Sequence, residues 1–88
     1  MGIFKVTQID EKGHLIREEK LNRNKKRFDI GDTTIEVSPS SNTVWLNPED
    51  DDIIQQKFSK VPEKRVYCIN FINQFLETPP KIIVERIK

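Results

Sequence analysis

The residues of this chain that could carry out covalent chemistry are one cysteine, Cys68, and one histidine, His14. A nucleophilic cysteine needs a base, most often histidine, that removes the thiol proton. Cys68 stands in an apolar stretch, where a thiol usually packs as a small hydrophobic group. The sequence also lacks the glycine motifs of P-loop, dinucleotide-binding and serine-hydrolase sites. We therefore predict a protein that is not an enzyme and that binds no cofactor.

Four consecutive carboxylates at residues 49–52 could suggest a cation site. Calcium loops, however, place their oxygens at alternate positions around a glycine, and that spacing is absent. The run follows Asn47 and Pro48, which are typical of a helix start, so its charges would complement the helix dipole. One cysteine and one histidine are too few for a zinc site. We predict no metal site and treat Asp50 and Asp51 as candidate contacts to a protein partner.

A basic stretch between two predicted strands is the strongest signal for binding nucleic acid. It holds five cationic side chains within eight residues: Lys20, Arg23, Lys25, Lys26 and Arg27. Lys and Arg side chains bind phosphates and release condensed counterions. A loop of this kind is often only a solvated connection, and the pI of about 7.8 is low for a dedicated nucleic-acid binder. Nucleic-acid binding through this loop is the alternative function.

The net charge of +1 conceals a basic, acidic, basic pattern along the chain. Residues 31–56 contain six acidic side chains and no Lys or Arg, whereas both flanking segments are basic. Complementary patches of this kind orient protein partners and raise association rates. They would also allow identical subunits to associate head to tail.

The first half of the chain is typical of short antiparallel strands. β-Branched and aromatic residues alternate with turn residues, and Gly13 and the Gly31-Asp32 pair suit tight hairpins. In the second predicted strand, Leu15 and Leu21 would share one face. The predicted strands cover residues 3–9, 14–21, 28–30, 33–37 and 43–46, which suggests a meander.

The second half of the chain favours helices. Ile53, Ile54 and Phe58 would share one face of a helix over residues 48–59, after the Asn47-Pro48 start. A second helix could begin at Pro62, with apolar residues recurring every three positions, although residues 67–71 could instead form a strand. We therefore predict an α+β domain, a meander of about five strands packed by one or two helices. A small β-barrel with an appended helix is the alternative.

The last predicted strand, residues 81–87, carries apolar residues on both faces, with Ile83 and Ile87 sharing one. A strand of that kind is either central in a sheet or paired with another chain. A homodimer through this strand, or strand addition by a protein partner, follows as a hypothesis. Ile83 and Ile87 are therefore candidate contact residues.

Trp45 stands between Val44 and Leu46, and alternation in a strand points it away from both. If Val44 and Leu46 face the core, Trp45 faces outward as a candidate contact residue. We favour the opposite orientation, with Trp45 in the core.

Composition sets the remaining expectations. A chain of 88 residues forms one domain, and a single cysteine excludes an internal disulfide. No signal-peptide core or membrane-length apolar run is present, so we expect a cytoplasmic protein without membrane contact. Abundant Ile, Lys and Asn without Ala suggest an AT-rich gene, as in a low-GC bacterium or its phages. The favoured function is a non-enzymatic protein-interaction module: a small adaptor, inhibitor or structural subunit. A phage or mobile element is a candidate source of its gene.

Overall fold

A computed structural model describes residues 2–30, 33–47, 53–68 and 81–88, and every regular element among them is a β-strand. The prediction of an α+β domain with one or two helices is therefore wrong for the described residues. No helix among them is long and apolar enough to cross a membrane. The strands are β1 (Phe4–Ile9), β2 (Leu15–Leu21), β3 (Arg27–Ile30), β4 (Thr33–Ser38), β5 (Thr43–Asn47), β6 (Ile54–Lys57), β7 (Glu63–Cys68) and β8 (Lys81–Arg86).

The eight strands form two antiparallel sheets of four strands each. Sheet 1 has the order β2-β1-β8-β7 and sheet 2 the order β3-β4-β5-β6. The two sheets do not close into a barrel, so the barrel alternative is also wrong. The predicted five-strand meander is correct only for β3 to β5, because the first hairpin belongs to the other sheet. The C-terminal strand β8 lies between β1 and β7.

Both predicted helices fall partly on strands. Ile54 and Phe58 are four residues apart, a spacing that fits one face of a helix and one face of a strand equally well. Pairing with β5 selects the strand, with Ile54 opposite Leu46. In β7, Val66 lies opposite Ile83 of β8. Residues 48–52 and 69–80, which include the rest of both predicted helices, lie outside the described residues.

The core lies between the two sheets and is almost entirely apolar. Phe4 and Phe58 meet edge to face, with ring centres 5.4 Å apart. On β8, Ile82 and Val84 are both buried and share the inner face. The buried residues are Phe4, Val6, Leu21, Phe28, Ile30, Ile35, Val37, Val44, Leu46, Phe58, Ile82 and Val84.

Gly13 acts in its turn as the sequence predicts, whereas the predicted Gly31-Asp32 turn lies outside the described residues. Gly13 closes the β1–β2 hairpin with a φ of 86°, and Asn42 adopts a φ of 54° before β5. A register shift between Gln8 and Ile9 then sets Leu15 opposite Ile9 and Leu21 opposite Phe4. Leu15 is consequently 62% exposed while Leu21 is buried, so the prediction that they share one face is wrong.

Candidate interaction surfaces

Trp45 faces outward on sheet 2, contrary to the orientation that the sequence favoured. Its neighbours Val44 and Leu46 are fully buried, and Trp45 itself is half-buried on the outer face. The core space is filled by three phenylalanines and by aliphatic side chains from both sheets, which leaves the indole outside.

The strand register places Trp45 in a row of side chains that crosses all four strands. Arg27 lies opposite Glu36, Glu36 opposite Trp45, and Trp45 opposite Gln55. At the usual strand spacing this row is about 14 Å long. A second row on the same face comprises Asp29, Thr34 and Asn47. We call the two rows together the Trp45 face.

Hydrogen bonds fix one corner of the Trp45 face. Asp29 accepts hydrogen bonds from Arg27 Nε and Thr34 Oγ1, each 3.0 Å long. These two bonds hold the pKa of the Asp29 carboxyl below its usual value, with the Arg27 bond the larger cause. Glu36, at the middle of the face, is exposed and has no recorded ion pair with another described residue.

An arginine joins the two sheets where β2 and β3 meet. Arg17 lies over the Phe28 ring, with its guanidinium carbon 4.2 Å from the ring centre. Its Nη1 donates a 2.9 Å hydrogen bond to the Asp29 carbonyl oxygen. Glu19 contacts Arg17 at 3.3 Å and Lys25 at 2.9 Å. The Lys25 contact is the main cause of a lowered pKa of Glu19.

A similar junction closes the other side, where β6 and β7 meet. The Arg65 guanidinium lies 5.2 Å from the centre of the Phe58 ring, and Arg65 Nη1 donates to Gln56 Oε1 at 3.1 Å. The Tyr67 hydroxyl donates to the same oxygen. Burial raises the pKa of Tyr67. Arg86 adds a 3.2 Å bond to the Phe58 carbonyl oxygen.

The structure separates the five basic residues of the 20–27 stretch. Lys20 lies opposite Lys5 on the outer face of sheet 1, and Arg27 belongs to the Trp45 face. Lys25 is paired with Glu19. Arg23 and Lys26 lie in the connection between the sheets and are exposed. The stretch therefore does not form one continuous basic surface.

The other candidate contact residues are dispersed. Ile83 lies on the outer face of sheet 1 opposite Val66, and Ile87 donates its backbone N–H to Ile3 just after β8. Because β8 has a neighbour on each side, it is not an edge at which a second chain could pair. Asp50 and Asp51 lie outside the described residues.

The geometry around His14 points to a structural role. His14 Nδ1 lies 3.7 Å from Asp10 Oδ2, and the His14 backbone N–H donates to Asp10 Oδ1 at 2.8 Å. That backbone bond is the largest cause of the lowered pKa of Asp10. Cys68 ends β7, two strands away from β1 in the sheet order. Within the described residues, no group of three or more His, Cys, Asp or Glu side chains could hold a metal ion.

One end of the molecule is basic, a feature that the sequence pattern did not predict. Successive strands are antiparallel, so every second connection lies at the same end. Backbone hydrogen bonds from Gly2 to Pro39, from Ile3 to Lys88 and from Phe58 to Asn42 join the segments at that end. Every charged side chain in the segments at that end is cationic; the segments are residues 2–3, 22–26, 39–42, 58–62 and 87–88. We call the five cationic residues the basic end: Arg23, Lys25, Lys26, Lys60 and Lys88. The basic end could have been predicted from the sequence if β6 and β7 had been assigned as strands, because the connections at each end then follow from counting antiparallel strands.

Comparison with models of protein families, with curated proteins and with solved structures finds no match to this chain in any of the three.

Proposed function

We propose that this chain is a non-enzymatic protein-interaction module that contacts its partner through the Trp45 face. The observation that carries the proposal is the outward position of Trp45 between two fully buried neighbours. Its indole is a large apolar group held on a rigid strand rather than on a loop.

The energetics of protein interfaces support this role for Trp45. Tryptophan is enriched among residues whose truncation costs a complex most, and such residues are surrounded by polar contacts that exclude water. The Trp45 face has polar residues at these positions, since Glu36 and Gln55 lie opposite Trp45 and Thr34 lies diagonal to it. Strand pairing on both sides of β5 fixes the Trp45 backbone, so binding loses little backbone entropy.

The chemistry of the face also describes the partner. Arg27 is already paired with Asp29, whereas Glu36 has no recorded ion pair with another described residue. The partner is a protein with an apolar pocket for the indole and a cationic group that reaches Glu36. Electrostatic contacts of that kind raise the association rate more than the affinity.

The test begins with affinity purification from the source cells using wild type, Trp45→Ala and Lys20→Ala as bait. Lys20 is the control because it lies on the outer face of the other sheet. A protein retained by wild type and Lys20→Ala but lost by Trp45→Ala is then purified and titrated. We expect Trp45→Ala to weaken binding at least about 30-fold and Glu36→Gln to slow association.

Two results would contradict the proposal. One is that Trp45→Ala keeps the wild-type denaturation midpoint and still retains every protein that the wild type retains. The other is a purified complex whose Kd does not change on replacing Trp45.

A further inference from the structure

The basic end brings together cations that are far apart in the sequence. Lys26 precedes β3, Lys60 lies between β6 and β7, and Lys88 follows β8. Backbone hydrogen bonds fix two of these positions: Val37 donates to the Lys26 carbonyl oxygen at 2.9 Å, and Ile3 donates to that of Lys88 at 3.1 Å. The side chains themselves are exposed.

Three of the five cations of the basic end have no ion pair with a described residue. Lys25 is paired with Glu19. Lys26, Lys60 and Lys88 have no recorded ion pair with any described residue. Exposed cations at one end attract a polyanion because each phosphate contact releases a condensed counterion.

A cavity opens within the basic end. Its volume is about 320 Å³, and it is lined by Gly2, Ile3, Asn22, Arg23 and Asn24. Asn22 Oδ1 accepts backbone hydrogen bonds from Asn24 at 2.8 Å and Lys25 at 3.1 Å, so the turn that forms one wall is fixed. Backbone atoms and Ile3 form a concave wall beside Arg23. An unstacked base would fit against this wall while the neighbouring cations bind its phosphates.

We propose that the basic end binds the phosphate backbone of a single-stranded nucleic acid and that the cavity beside Arg23 receives one of its bases. Phosphates would contact Lys26, Lys60 and Lys88. Single-stranded recognition fits the cavity because bases in a duplex remain stacked and cannot enter it.

The composition of this end favours a nucleic acid over an acidic protein. Protein interfaces are centred on aromatic and other large apolar side chains, with Lys depleted. Lysine supplies four of the five cations of the basic end, and its one phenylalanine, Phe58, is buried. The site lies apart from the Trp45 face, so its test is independent of the protein-interaction proposal.

Fluorescence anisotropy with a labelled 12-residue oligothymidine, from 50 to 200 mM salt, tests the proposal. Three phosphate contacts on a single strand predict a log–log salt slope of about −2.1, or roughly an 18-fold loss of affinity over that range. The variant Lys26→Gln/Lys60→Gln should reduce the slope by about 1.4. The control Lys12→Gln/Lys81→Gln makes the same charge change at the opposite end and should leave the slope unchanged.

Three further probes identify the occupant. A duplex of equal length should bind more weakly than the single strand, and so should an abasic strand of equal charge, because it leaves the cavity empty. Polyglutamate of equal charge should bind more weakly still. The proposal is overturned by no binding at 50 mM salt, by equal slopes in the two double variants, by a preference for duplex, or by equal affinity for polyglutamate. Equal affinity for polyglutamate would assign the basic end to an acidic protein.

Discussion

Arg17 on the edge of sheet 1 lies over the ring of Phe28 on the edge of sheet 2, 4.2 Å from the ring centre. The same arginine donates to the carbonyl oxygen that follows, that of Asp29. One side chain thereby covers a core ring and satisfies a backbone acceptor at the junction of the sheets. An arginine near Phe58, Arg65, covers the opposite junction in a related way.

Arg17→Ala should destabilise the fold by about 1–2 kcal/mol, because it removes a cation–π contact and a hydrogen bond across the sheets. Chemical denaturation followed by Trp45 fluorescence measures the effect. Lys20→Ala on the same strand, which faces outward, should change stability by less than about 0.5 kcal/mol. Equal effects of the two substitutions would show that Arg17 does not join the sheets.

Replacing neighbouring isoleucines on β8 tests which face is buried. Ile82→Val should cost about 0.5–1.5 kcal/mol, because Ile82 is 1% exposed in the core. Ile83→Val removes the same methylene from the outer face and should cost less. Urea denaturation of both variants decides the matter, and a larger cost at Ile83 would contradict the observed register.

Deletion of residues 81–88 should prevent folding rather than only assembly. The deletion removes the strand between β1 and β7, together with Ile82 and Val84 of the core. We expect a random-coil circular dichroism spectrum and rapid proteolysis of the truncated chain. A cooperatively folded truncation product would contradict the central position of β8.

Acid should destabilise the fold through three carboxylates whose pKa values are lowered: Asp10, Glu19 and Asp29. In each case the unfolded chain takes up the proton first, so the stabilisation is present above the ordinary carboxyl pKa and is lost as the pH falls through the folded value. Asp29→Asn should flatten the dependence of the denaturation midpoint on pH below about 4.5. Glu11→Gln is the control, because Glu11 has no recorded hydrogen bond or ion pair with a described residue. An unchanged pH dependence in Asp29→Asn would refute the role of the Arg27 and Thr34 contacts.

Tyr67 is the single tyrosine of the chain, so its ionisation can be followed by absorbance without interference from another phenol. Burial raises its pKa above the ordinary value of 10.0, and we expect the native protein to titrate above the urea-unfolded chain. Because the folded pKa is the higher one, this stabilisation is complete below pH 10 and is lost as the pH rises through the folded value. Identical titrations in the native and unfolded states would contradict the burial of Tyr67 between β6 and β7.

The sequence alone located six of the eight strands that the structure describes, β1 to β5 and β8. Alternating β-branched residues and the turn at Gly13 act within a few positions, so their effect can be predicted without the fold. The sequence did not predict β6, because the spacing of Ile54 and Phe58 fits both a helix and a strand. Only pairing with the open edge of β5 settled that choice.

Tertiary structure decided the features on which the candidate surfaces depend. The two sheets pack around one core, in which Val44 and Leu46 are more completely buried than Trp45. Trp45 lies between them on the strand and therefore faces outward. The same packing separated the contiguous basic stretch at residues 20–27 and gathered Lys26, Lys60 and Lys88 at one end instead. Local preferences fix where strands form, whereas the burial of apolar side chains from all strands at once fixes which residues meet.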